Sequence, residues 1–256
     1  MSTPVGISLF FVFGLLVGSF LNVCIYRLPR RESVSWPGSH CTSCGRTLAW
    51  FENVPVVSWL ILRGRCRTCS ARIAVIYPLV ELITGALFAG AFAIYGATPL
   101  LAVRLLFACA MVVLFVIDLR HRILPNVITV PGIIAGLAFS AFLPPGWAAA
   151  VIGVVVGGGG LFAIAEAYYR LRGVEGLGMG DVKMLAMIGA FLGWQLTLVT
   201  LMLASFAGSI AGVALMTFGR RGLQTALPFG TFLAVGALVA AVYGDAILNW
   251  YISLYS

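Results

Sequence analysis

The chain has 256 residues, 61% of them hydrophobic and 9% charged, with a mean hydropathy of +1.07. A soluble domain carries about a quarter charged residues, so this composition excludes one and describes a polytopic membrane protein. The net charge is +8, but no aromatic-interleaved basic groove accompanies it; nucleic acid is set aside as a partner, and membrane lipid is the better counterpart of the charge.

The first apolar run, Val5 to Tyr26, is long enough to span a bilayer. Residues 1–4 (MSTP) carry no Lys or Arg, whereas a cleaved secretory signal starts basic and has a shorter core. Seven further apolar segments follow, at about residues 74–95, 99–118, 123–143, 146–169, 181–193, 195–217 and 228–253. The sixth and seventh require a break at Gly193-Trp194-Gln195. Without one, residues 184–217 would form a helix of about 50 Å, longer than a hydrocarbon core of about 30 Å. Gly157–Gly160, in the fifth segment, lacks the Lys and the strand-to-helix setting of a phosphate loop and reads as close helix packing.

Charge fixes the orientation. Arg27, Arg30, Arg31, Arg46, Arg63, Arg65, Arg67 and Arg72 follow the first segment; Arg120 and Arg122 follow the third; Arg170 and Arg172, with Lys183 beyond, follow the fifth; Arg220 and Arg221 follow the seventh. The connections YGATP, LPPGW and GWQ, after even-numbered segments, carry none. Lys and Arg mark the cytoplasmic side. The expected fold is therefore all-α, with about eight transmembrane helices and both termini outside the cytoplasm. The division expected is a first helix (1–27), a cytoplasmic loop domain (28–73) and a seven-helix membrane core (74–256).

The loop domain holds Cys41-Thr-Ser-Cys44 and Cys66-Arg-Thr-Cys69, with 21 residues between the pairs. Each pair turns back on itself, and two such pairs suit a tetrahedral four-sulfur zinc site. Two disulfides, or free thiols, are the alternative; stable disulfides are uncommon in the cytoplasm. Four protein ligands leave no open position, so the zinc expected here is structural. His40, beside Cys41, is a bystander on this reading.

Three aspartates occur in the chain: Asp118, Asp181 and Asp245. Asp118 lies at the cytoplasmic end of the third segment, in VLFVIDLRHRILPN, and Asp181 at the cytoplasmic start of the sixth, in GLGMGDVK. Opposite helix polarities bring the two carboxylates to similar depth on one face. Each has a plainer reading: Asp181 as a helix N-cap, Asp118 as a partner of Arg120 or Arg122. Together they suggest an aspartyl dyad, in which close carboxylates share a proton. One then acts as base on a water while the other polarises a scissile carbonyl. Gly176, Gly178 and Gly180 would let an extended peptide approach closely. Lys183 and Glu81, an intramembrane acid, are supporting candidates, with Arg104 a candidate partner for Glu81.

These residues resemble the type IV prepilin peptidases, the bacterial leader peptidases of type IV pili and type II secretion pseudopilins. GSFLNVCIYRLP (18–29), the two cysteine pairs with ENVPVVSWLILRGRCRTC around them, YPLVELITGALF (77–88), IDLRHRILPN and GLGMGDVK carry the resemblance in order along nearly the whole chain. It implies a multi-pass protein of the bacterial inner membrane whose substrates are prepilins or pseudopilins. It implies catalysis by Asp118 and Asp181, zinc at Cys41, Cys44, Cys66 and Cys69, and methylation of the new N-terminus with S-adenosylmethionine, for which no binding residues are identified. Asn126 stands where many relatives have Asp, and Thr231, in LPFGTF, where the pattern often has Pro. A transporter using the intramembrane carboxylates as an ion relay is the alternative from another class.

Overall fold

A computed structural model describes residues 3–174, 176, 178–218 and 227–254. Arg220 and Arg221, and Leu177 of GLGMGDVK, lie outside the described residues. All eight expected apolar segments are helical: α1 (Pro4–Arg27), α3 (Ile76–Tyr95), α4 (Pro99–His121), α5 (Asn126–Ser140), α6 (Trp147–Val154) continued by α7 (Gly160–Arg172), α8 (Met179–Phe218) and α9 (Phe229–Ser253). A short helix, α2 (Val57–Ile61), belongs to the loop domain. Among the described residues, six helices are long and apolar enough to cross a membrane. That count differs from the expected eight for two reasons. The sixth and seventh segments share α8, and α5, with 15 residues, is shorter than a full crossing.

The chain divides into two compact units, Met1–Val113 and Leu114–Ser256. In the first, the Thr3 hydroxyl accepts from the Gly6 N–H and caps α1, with Pro4 in its first turn. Gly14 and Gly18 let α1 approach α3 closely: a Cβ on Gly18 would lie 2.7 Å from Cα of Glu81. Phe88, Phe92, Leu101 and Leu105 form a core there, with Phe10 stacked on Phe92 at 4.4 Å. The Asn22 amide donates to the Tyr77 carbonyl at 3.0 Å, joining α1 to α3.

The second unit is built around α8. The expected break is present at Gly193, whose φ of 78° and ψ of 170° lie in a region that only glycine enters readily. Before the break, Met184, Leu185, Met187 and Ile188 are fully buried. Gly132 and Gly136 of α5 press against Met187 and Ala190, and Gly153 of α6 meets Gly189 backbone to backbone. The glycine run packs only in part. A Cβ on Gly157 would lie 2.8 Å from the Leu185 carbonyl oxygen and one on Gly158 2.8 Å from the Ala186 Cβ, while Gly160 faces open space. Residues 155–159 form a π-helical turn between α6 and α7.

Candidate active site and metal centre

The loop domain contains two near-identical knuckles. The Cys41 N–H donates to the Arg46 carbonyl and Gly45 N–H to the Cys41 carbonyl, both at 2.9 Å; the Cys66 N–H donates to Ala71 at 2.9 Å and Ser70 N–H to Cys66 at 3.0 Å. Gly45 (φ 70°) and Ser70 (φ 58°) take the same left-handed position in each turn. An isolated antiparallel bridge closes each knuckle, His40 with Thr47 and Arg65 with Arg72. The turns converge the sulfurs of Cys41, Cys44, Cys66 and Cys69 to within 4.8 Å of one another, a group that could hold a metal ion.

Backbone N–H groups aimed at two of the sulfurs prepare those two for this, while burial and the neighbouring thiols push Cys69 up to about 11. The N–H groups of Cys69 and Thr68 bring the Cys66 thiol down to about 6, and those of Cys44 and Ser43 lower Cys41. A lowered thiol supplies the thiolate that a metal requires. His40 stays outside the sulfur group, its Nδ1 lying 3.1 Å from the Gly38 carbonyl.

Two residues fasten the loop. Arg27, which sequence reasoning uses only as a topology marker, is buried and donates to the carbonyls of Ser33 (2.9 Å), Pro37 (2.6 Å) and Gly38 (3.2 Å). Glu52 accepts from Arg46 at 2.6 Å and from the Ala49 N–H at 2.9 Å. The Arg46 hydrogen bond, followed by that from Ala49, holds the Glu52 carboxyl below the ordinary range. Glu81 has a place in this first unit: its Oε2 accepts from the Val56 N–H at 2.7 Å, and the Ser19 side chain also bonds the carboxyl. The Arg104 guanidinium lies 6.0 Å from the Tyr95 ring centroid.

Asp118 and Asp181 belong to the second unit. Asp118 is 5% exposed. Its Oδ2 accepts from the N–H of Thr231 at 2.7 Å and from the Thr231 hydroxyl at 3.0 Å. The Arg122 N–H donates to the backbone carbonyl of Asp118 at 2.8 Å, and its guanidinium acts on the carboxylate only from beyond ion-pair distance. Among the described residues, the ion pairs are Arg46–Glu52 and Arg170–Glu166, so the carboxylate is paired with neither Arg120 nor Arg122.

Asp181 is half-buried in the first turn of α8. Because α8 starts at Met179, Asp181 is its third residue and not its cap, which corrects the plainer reading of GLGMGDVK. Its own N–H donates to the Gly178 carbonyl at 3.0 Å, and its carboxylate interacts with Gly178 and with the charge of Asp118. A Cβ at Gly178 would lie in ordinary contact with Asp181 Oδ2, at 3.4 Å.

Leu124 links the three segments that meet here. A Cβ on Gly180 would lie 3.0 Å from the Leu124 Cβ, and one on Gly230 would lie 2.9 Å from its Cδ1 and 3.0 Å from Asp118 Oδ2. Lys183 donates to Asn126 Oδ1 at 3.0 Å, tying the start of α8 to the start of α5. Of the residues expected at the site, Asp118, Asp181, Gly178, Gly180 and Lys183 thus lie in one unit. Thr231, Gly230 and Leu124 were not expected. The only signal for the first two is LPFGTF itself, in which Thr231 reads as a departure from a pattern.

Comparison with known proteins follows the same layout. The bacterial peptidase A24 N-terminal domain family matches residues 12–95, and the type IV leader peptidase family matches residues 105–213. A prepilin leader peptidase/N-methyltransferase of Pseudomonas putida is 38% identical over 94% of this chain and 92% of its own length. The chain belongs to the type IV leader peptidase family. A protein of the same name from Aeromonas salmonicida is 38% identical over 96% of this chain and 94% of its own. One from Myxococcus xanthus is 44% identical over 84% of this chain and 65% of its own. No solved structure matches the chain. Both aspartate motifs fall within the stretch matched by the leader peptidase family, and all four cysteines within the A24 N-terminal match.

Proposed function

We propose that this chain is a multi-pass inner-membrane enzyme that removes the leader peptide of type IV prepilins, or of type II secretion pseudopilins, using Asp118 and Asp181. What supports the reading is that Asp118, near the end of α4, lies close enough to Asp181, in the first turn of α8, for its charge to act on it, in a chain of the leader peptidase family. One carboxylate takes a proton from water, whose oxygen attacks the scissile carbonyl carbon. The other supplies a proton to the carbonyl oxygen. Collapse then breaks the C–N bond, and the amine leaves with a proton. Positive residues beside Asp118 and beyond Asp181 support a cytoplasmic-edge position for this chemistry.

The relatives' name also supports methylation of the new N-terminus. S-adenosylmethionine is the methyl donor that the family resemblance implies. Zinc is the metal proposed for the four thiolates: Zn–S bonds of about 2.3 Å in a tetrahedron set sulfurs about 3.8 Å apart, and Cys41 Sγ and Cys69 Sγ lie 3.8 Å apart. Four thiolates complete the metal's coordination, so its role is to hold the loop.

The test is a purified-protein assay on a prepilin, with and without S-adenosylmethionine, reading product masses. Asp118→Asn and Asp181→Asn are each expected to lower cleavage by about a thousandfold or more while the protein remains folded. Undiminished cleavage by either folded variant would sink the dyad.

A further inference from the structure

We infer that Thr231 is a positioning residue for Asp118, holding its Oδ2 with two donors so that Oδ1 is the oxygen turned to water and peptide. The inference rests on the dyad reading above and adds a role for α9 in it.

The backbone supplies the first donor. α9 starts at Phe229, so Thr231 is its third residue, and the N–H groups of a first turn have no partner inside their own helix. Pro228, at the cap position, offers no side chain to satisfy them. The Thr231 N–H instead donates to Asp118, 113 residues away, at 2.7 Å. Asp118 thus serves as a cap contributed by another helix, and the positive end of α9 favours its negative charge.

The hydroxyl is the second donor, at 3.0 Å to the same oxygen. Both residues are buried, Asp118 at 5% and Thr231 at 7% exposure, so water does not readily replace these bonds. Gly230 closes the remaining side, because any Cβ there would reach 3.0 Å from Oδ2. Among the described residues, no hydrogen bond is formed by Oδ1. The carboxylate is therefore fixed through one oxygen and open through the other. A free carboxyl has a broad, two-fold torsional preference, and an error of about 1 Å in a reacting group can cost about a hundredfold in rate. Two donors on one oxygen remove that freedom.

Substitution separates the donors. Thr231→Ser keeps both. Thr231→Val keeps the shape and the N–H but loses the hydroxyl. The full-length proteins are purified in detergent, and kcat and KM for a prepilin are measured beside Asp118→Asn. The expected result is wild-type kcat within about twofold for Ser and a loss of about tenfold for Val. KM should stay within about twofold throughout, and thermal midpoints for Ser and Val should match. Wild-type kcat in Thr231→Val beside an inactive Asp118→Asn overturns this inference alone. So does Thr231→Ser as impaired as Val, since a retained hydroxyl would then fail to preserve the rate. Full activity in Asp118→Asn overturns the dyad and this inference together.

Discussion

Glu52 uses both carboxylate oxygens to close the metal loop, one on Arg46 and one on the Ala49 N–H. Its folded-state pKa is held down by those bonds, Arg46 foremost. A carboxyl depressed on folding contributes stability that is present above its unfolded value, about 4.3, and lost as the pH falls through its lower folded value. Glu52→Gln removes this contribution at every pH. Limited proteolysis of the loop should therefore show wild-type protein better protected than Glu52→Gln above about pH 5, with the difference closing below about pH 4. A difference independent of pH would show that the charge is not what holds the loop. Residues at this scale were unequally legible in the sequence. Asp118 and Asp181 stand out because an acid at the edge of an apolar run is costly and rare. Arg27 and Thr231 do not. Each acts through contacts whose partners no local pattern encodes: three loop carbonyls for Arg27, and a carboxylate 113 residues away for Thr231.

Helix lengths bear on where the proposed dyad can sit. α5 has 15 residues, about 22 Å at 1.5 Å per residue. The arm of α8 before Gly193 is of similar length, about 21 Å. The two run side by side from the Lys183–Asn126 bond at one end to Gly193 at the other, where a Cβ would meet Pro145 at 3.0 Å. Both fall short of a hydrocarbon core of about 30 Å, a shortage that membranes tolerate where a helix lines a protein or water cavity. The break at Gly193 was legible from length alone, because an unbroken helix would overrun the bilayer. The π-helical turn at residues 155–159 was not, since a glycine run marks close packing without specifying how the backbone adjusts. The cysteine knuckles were the clearest element of all, because paired spacing states both the turn and the ligand type. Metal analysis should find about one zinc per chain. Cys66→Ser, at the most buried of the four sulfur positions, should lose that zinc and expose the loop to protease, as should a strong chelator. Metal-free protein with an equally protected loop would remove zinc from the account.

Orientation belongs to the whole molecule, and it decides whether the dyad can meet its substrate. The ends of α4 and the start of α8 carry the aspartates, and Arg120, Arg122, Arg170, Arg172 and Lys183 cluster by sequence around those same ends. The connections at 95–99 and 143–147 have no charged residue. If positive charge sets the topology, alkaline phosphatase fused after residue 97, after residue 145 or after residue 254 should be active, having reached the oxidising side of the membrane. Fusions after residue 73 or residue 123 should be inactive. The fusion after residue 254 is the discriminating one. Eight crossings return the chain to the side on which it began, whereas seven would leave its end in the cytoplasm and place the segment holding Arg220 and Arg221 on the wrong side. An inactive fusion there, beside active ones after residues 97 and 145, would mean that one arm of α8 does not cross. The proposed dyad would keep its expected cytoplasmic position through α4, but the chain beyond it would have to be threaded differently to bring Thr231 to Asp118.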